Sequence, residues 1–225
     1  MEHELVIFDN SGVLADSETL GNQVLAGLLT ALVVPTTFDE AVEHYLGRTL
    51  TDALRDLRQR TGAVVPEGFA ERFHAELFEV FEQRLAAVEG VERVLDGLHG
   101  LGVAHCVASN DTADRLALSL RRTGLFDRMA GRVFSSDMVE RPKPAPDLFL
   151  YAAAQFGVPP EACLVIEDSP RGVAAARAAG MTVYGFASVT PRERLADAHR
   201  IFDTMDELVD LLPELFPAPL VEVVR

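Results

Sequence analysis

Lysine is nearly absent from this chain. Of 20 basic residues only Lys143 is a lysine, the rest are arginines, and they face 35 acids for a formal net charge of −15. That balance excludes a general binder of nucleic acid or anionic membrane, because phosphate surfaces attract clustered Lys and Arg. It leaves room for a small anionic substrate in a locally positive pocket. Tryptophan is missing, and there are only two cysteines. Cys106 and Cys163 lie in apolar runs, HCVAS and CLVIE, which reads as buried free thiols in a reducing compartment. No long hydrophobic run occurs. VLAGLLTALVV at 24–34 falls short of the roughly 20 apolar residues that span a bilayer. The opening MEHELVIF carries neither a basic region nor a signal-peptide core. These absences predict a cytoplasmic protein with no membrane or nucleic-acid partner; they leave the oligomeric state open.

What is present is a hydrophobic content of 48% over 225 residues, enough for one large domain or a domain with an insert. Short apolar runs at 5–9, 104–109, 132–136, 163–168 and 182–186, with a weaker one at 201–204, read as strands buried on both faces. Helical stretches fall between them at 90–101, 111–123, 146–157, 170–179 and 191–198, the last three starting near Pro146, Pro170 and Pro191. This alternation predicts an α/β fold, a Rossmann-like parallel sheet with helices on both faces. Residues 17–88 break the pattern with helical periodicity alone. We therefore expect a core of residues 1–16 and 89–225, with a small helical cap domain, 17–88, inserted after the first strand as a lid. The tail LPELFPAPLVEVVR is expected to be an extended edge or loose.

Ligand crevices in such sheets open at the carboxyl ends of the strands. Those ends carry Asp9, Ser109-Asn110, Asp137 and Glu167-Asp168. Asp9 follows four apolar residues, where a carboxylate can attack phosphorus or bind a metal; a helix cap or Asx-turn is an equal alternative. Gly12 suits a tight backbone turn on an anion. Ser109-Asn110 before Asp111-Thr112 suits a phosphate at a helix start, although for that dipeptide alone plain capping is the better explanation. Lys143 sits between prolines in RPKPAPDLF, where a restricted loop can aim an ammonium at a phosphoryl group; a solvated loop charge is the plain alternative. Glu167-Asp168 ends an apolar strand, where two acids are costly unless they meet a cation. With Asp9 they suit a hard divalent ion such as Mg²⁺.

In order and spacing, FDNSGVLADSE, VASN, RPKPAPDLF and VIEDSPRGV together resemble the motifs of the haloacid dehalogenase-like hydrolase superfamily. The chain is most similar to its β-phosphoglucomutase and sugar-phosphate phosphatase branch; LGRTLTD at 46–52 looks like that branch's cap segment, and Gly180 fits a later glycine. The resemblance implies an Mg²⁺-dependent phosphatase-type hydrolase of a small phosphorylated metabolite. Asp9 would become an aspartyl phosphate. Ser109 and Asn110 would hold phosphoryl oxygens and Lys143 would balance charge. Asp168, Asp9 and the backbone carbonyl of Ser11 would bind the metal, with Glu167 as a further acidic partner, and Arg48 in the cap would touch substrate.

One departure stands out. The family's phosphatases and mutases read DxDG, and this chain reads Asp9-Asn10-Ser11-Gly12. The missing aspartate is the residue that protonates the leaving oxygen and then activates water. A serine hydroxyl is too weak an acid for that near neutral pH, and lost acid–base help is worth about 10²–10⁴ in rate. Residues 17–88 contain no lysine for phosphonate chemistry, and Gly21 stands where a mutase of this branch has its histidine. His44 and His74 lie outside that motif. The acidic pair also fits a metal enzyme better than a dehalogenase. Two expectations remain: a phosphatase slowed at its proton transfers, and a catalytically silent relative that binds a phosphorylated ligand or a protein partner.

Overall fold

The structure is a computed structural model and describes residues 3–217. A parallel six-stranded sheet forms its centre, in the order β3-β2-β1-β4-β5-β6. The strands are β1 (Leu5–Phe8), β2 (Ala104–Ser109), β3 (Val133–Ser135), β4 (Cys163–Glu167), β5 (Thr182–Phe186) and β6 (Arg200–Phe202). Every residue of β1 and β4 is buried. Alternate side chains point to opposite faces, as strand geometry requires. Val6, Phe8, Leu164 and Ile166 join one core; Leu5, Ile7, Cys163 and Val165 join the other. The first core is completed by α5 (Val91–Gly100), α6 (Ala113–Arg122) and α9 (Met205–Leu215), the second by α7 (Asp147–Phe156) and α8 (Pro170–Ala178). Helices thus cover both faces, and both cysteines are buried and free.

The cap insertion follows β1 and consists of α1 (Ser17–Leu32), α2 (Phe38–Tyr45), α3 (Leu50–Thr61) and α4 (Phe69–Arg84). It has its own apolar centre, built from Leu28 and Leu29 of α1, Ala41 and Tyr45 of α2, Ala53 and Leu57 of α3, and Phe69 and Phe73 of α4. Local signals start its helices. Thr37 and Glu40 form a reciprocal capping box on α2, and the Thr49 hydroxyl caps α3. Arg194 of the core donates to the Leu46 carbonyl of the cap at 2.8 Å. On the other side Arg122 of α6 reaches Glu82 of α4.

Two expectations fail. The stretch 191–198 holds only a short 3-10 turn, Arg192–Leu195. Leu212–Leu215, read as extended or loose, are the last turn of α9, which carries Pro213 inside it and packs Leu208, Leu211 and Leu212 inward. Apolar residues at helical spacing outweigh one proline near a helix end, where few carbonyl partners are lost. The remainder of that tail, 218–225, lies outside the described residues.

Candidate active site

The sheet order reverses at β1, whose neighbours are β2 and β4. Strand ends diverge there and leave a crevice. Asp9 leaves β1, Ser109 ends β2, and Glu167-Asp168 ends β4, so three separate motifs meet at one rim. Parallel register brings this about: Phe8 pairs with both Val107 and Ile166. Above the rim the cap closes a cleft of about 820 Å³ lined by residues of both parts.

Lys143 is the centre of the charge arrangement. It is 3% exposed, and its Nζ donates to Asp9 Oδ1 at 2.7 Å and to Glu167 Oε1 at 2.8 Å. Burial opposes its charge, but Asp9 and Glu167 outweigh that and hold its pKa above the ordinary lysine value. The Phe149 ring lies beneath the ammonium, 4.6 Å from its centroid. The loop is fixed as well. Asn110 clamps the Lys143 backbone, accepting from its N–H at 2.9 Å and donating to its carbonyl at 3.0 Å. Arg171 donates to the same carbonyl. The Asn110 side chain is therefore spent on holding Lys143.

The acids outnumber that one cation. Ligand oxygens of Asp9, Glu167 and Asp168 lie within 4.8 Å of one another. Glu167 is fully engaged: Oε1 accepts from Lys143, and Oε2 accepts from the Ser169 N–H and hydroxyl, both at 2.9 Å. Asp168 is 6% exposed and has no hydrogen-bond partner among the described residues. Burial pushes the Asp9 carboxyl up to about 7, with Lys143 opposing and Glu167 adding to the rise. Burial, then Glu18 and Glu167, hold Asp168 well above the carboxylate range. Glu18, at the start of α1, is pushed up to about 7 by burial first, then by Asp111 and Glu167. A buried carboxylate without a donor beside two further acids fits a hard divalent cation that takes oxygen ligands.

Two glycines make this crowding possible. A Cβ on Gly12, at φ +79°, would fall 2.0 Å from Asp168 Oδ2; one on Gly172 would fall 1.7 Å from Glu167 Oε1. Both backbones lie against carboxylates, and Gly12 also needs a left-handed conformation.

Ser11 does not face empty space. Its hydroxyl donates to Asp111 Oδ2 at 3.2 Å, and the Ser109 hydroxyl donates to the same oxygen at 3.3 Å. By sequence Asp111 reads as part of a helix start. In the fold it caps nothing: α6 begins at Ala113, whose N–H donates to Asp137 Oδ2 at 2.8 Å. Asp137, a strand-end acid in the sequence, is thus a helix cap outside the cleft. Asp111 and Glu18 are the site residues the motif reading missed. Asp111's signal was available, an acid two places after Ser109 in a chain lacking one at position 11. Arg48 stands on the cap wall, paired with Asp56 at 3.2 Å and 44% exposed at its side chain.

The family model described as haloacid dehalogenase-like hydrolase matches residues 6–186. The chain is 33% identical over 221 residues to the "Probable pseudouridine-5'-phosphatase" of Drosophila melanogaster, covering 95% of this chain and 93% of that protein. A haloacid dehalogenase-like protein from Agrobacterium tumefaciens superposes with a TM-score of 0.88 at 34% identity, covering 95% of this chain and 99% of the other. A family hydrolase from Deinococcus radiodurans, crystallised with phosphate and sodium, gives 0.86 at 31% identity, covering 95% and 96%. From β1 through β5, motif by motif and fold for fold, this chain belongs to the haloacid dehalogenase-like hydrolases.

Proposed function

We propose that the protein is an Mg²⁺-dependent phosphatase that transfers the phosphoryl group of a small phosphorylated metabolite to Asp9 and then to water. The observation that carries this reading is the buried contact of Lys143 with Asp9 and Glu167, beside an Asp168 that lacks any donor. Asp9 Oδ2, the oxygen not bound by Lys143, is the nucleophile. It attacks phosphorus as the bond to the leaving oxygen breaks. Lys143 holds the other carboxylate oxygen and keeps the nucleophile aimed. The Ser109 hydroxyl, at the end of β2, is placed for a phosphoryl oxygen. Asn110 contributes by fixing the Lys143 loop. Asp9, Asp168 and the Ser11 carbonyl would hold Mg²⁺, with Glu167 behind them; when bound, the ion supplies charge neutralisation. The cap gates access to the cleft.

The leaving group meets a mixed wall. Arg48 offers a cation, whereas Phe73, Phe78 and Phe81 offer rings, and Phe78 remains 55% exposed. A metabolite carrying an apolar face as well as its phosphate fits that wall better than a bare sugar phosphate. The Drosophila relative bears the name of a phosphatase, and the Deinococcus structure holds phosphate; both support the reaction class. The test is turnover of p-nitrophenyl phosphate and a panel of sugar and nucleoside monophosphates with MgCl₂. Asp9→Asn is expected to abolish turnover while the fold persists. Undiminished turnover in Asp9→Asn would reject the reading. Tight phosphate binding without any turnover would favour a silent binder.

A further inference from the structure

Residue 11 lacks the carboxylate that a phosphoenzyme needs to activate water, yet a carboxylate stands one hydrogen bond away. Asp111 Oδ2 accepts from the Ser11 hydroxyl at 3.2 Å and from the Ser109 hydroxyl at 3.3 Å. The Asp111 N–H donates to Ser109 Oγ at 3.1 Å and closes the turn. Asp111 also borders the cleft and is 18% exposed at its side chain, with Arg115 Nε 3.6 Å from the other oxygen. It does no capping work, since Asp137 serves α6. A carboxylate on the cleft wall that caps no helix and is bound to the hydroxyl at the deficient position calls for a chemical account.

We infer that Asp111 is the proton acceptor for hydrolysis of the aspartyl phosphate, working through the Ser11 hydroxyl. The inference rests on the phosphatase reading above. The hydrogen-bond direction already suits the step, because Ser11 donates to Asp111 and keeps its oxygen lone pairs for water. The water oxygen bonds to phosphorus, and the bond from phosphorus to the Asp9 oxygen breaks, restoring the Asp9 carboxylate. The water proton passes to Ser11 Oγ while the Ser11 proton passes to Asp111 Oδ2. Inorganic phosphate leaves, and Asp111 releases its proton to solvent through the cleft. A DxDG enzyme delivers the same proton to one side chain; here a serine and a more distant aspartate divide the task.

The experiment separates the two half-reactions. p-Nitrophenyl phosphate loses nitrophenolate without needing a proton, so the burst of nitrophenolate reports phosphorylation of Asp9 and the steady state reports its hydrolysis. Intact-protein mass reports the phosphoenzyme directly. With MgCl₂, Asp111→Asn and Ser11→Ala are expected to keep the burst, slow the steady state by about 10²- to 10⁴-fold and accumulate phosphoenzyme. Ser11→Asp placed on Asp111→Asn is expected to restore the steady state. Asparagine still accepts from both hydroxyls, so the fold should survive, and thermal melts check it. An unchanged steady state in Asp111→Asn overturns the inference, as does an equal fall of burst and steady state without phosphoenzyme. In either case Asp9-dependent turnover in the unaltered chain would leave the phosphatase reading standing. Absence of burst, turnover and phosphoenzyme in the unaltered chain would remove both.

Discussion

Gly172 shows how little freedom the site has at the scale of one residue. Its N–H donates to the Ser169 hydroxyl at 3.0 Å, and that hydroxyl in turn donates to Glu167. A methyl group here would occupy the space of the Glu167 carboxylate. Gly172→Ala should therefore push Glu167 away from Lys143 and leave a buried charge without one partner, a loss of up to about 3–5 kcal/mol. Urea unfolding and phosphatase turnover should both fall; a variant with native stability and full turnover would contradict this account. The same crowding disfavours at position 143 the arginine used everywhere else. The space between Asp9, Glu167 and the Phe149 ring fits a compact ammonium, and a planar guanidinium needs more room and offers its donors in a different geometry.

The strands were the most legible elements, because runs buried on both faces leave no polar alternation to mislead. All six predicted runs are strands, and their ends carry Asp9, Ser109 and Glu167 to one rim. Helix ends were less legible. Asp111-Thr112 has the composition of a cap, but the cap comes from Asp137, 24 residues beyond Ala113, and no local signal announces a partner brought in by the fold. Asn110 shows a related limit: a side chain after a strand can turn to the ligand or to a neighbouring loop, and here it turns to the Lys143 loop. The cap helices were readable as periodicity but not as a separate core. That separateness has a measurable outcome. Leu57 is 1% exposed within the cap cluster, so Leu57→Ala should cost about 2–5 kcal/mol of local stability. Hydrogen exchange should quicken in α1 to α4 and stay slow in β1 and β4. Uniform loss of protection across both parts would mean the cap does not fold on a core of its own.

At the scale of the whole molecule, acidity and metal binding are linked. Burial pushes Asp9 up to about 7 and Asp168 upward as well. A carboxylate whose folded pKa is raised opposes folding increasingly as pH climbs from its unfolded value, about 4, towards its folded one. Protons and a divalent ion compete for the same oxygens. The rise in melting temperature on adding MgCl₂ should therefore be larger at about pH 8 than at about pH 6. It should shrink in Asp168→Asn and vanish with a chelator. A shift independent of pH would place the ion elsewhere on this acidic surface. The solitary lysine has a last consequence, outside its part in the chemistry. Reagents that acylate primary amines find no side-chain target on the exterior, because the one ε-amino group is sealed between two carboxylates and a phenyl ring. Modification of that nitrogen would then register each excursion in which Asp9 and Glu167 release it, giving a clock for opening of the rim that requires no engineered label.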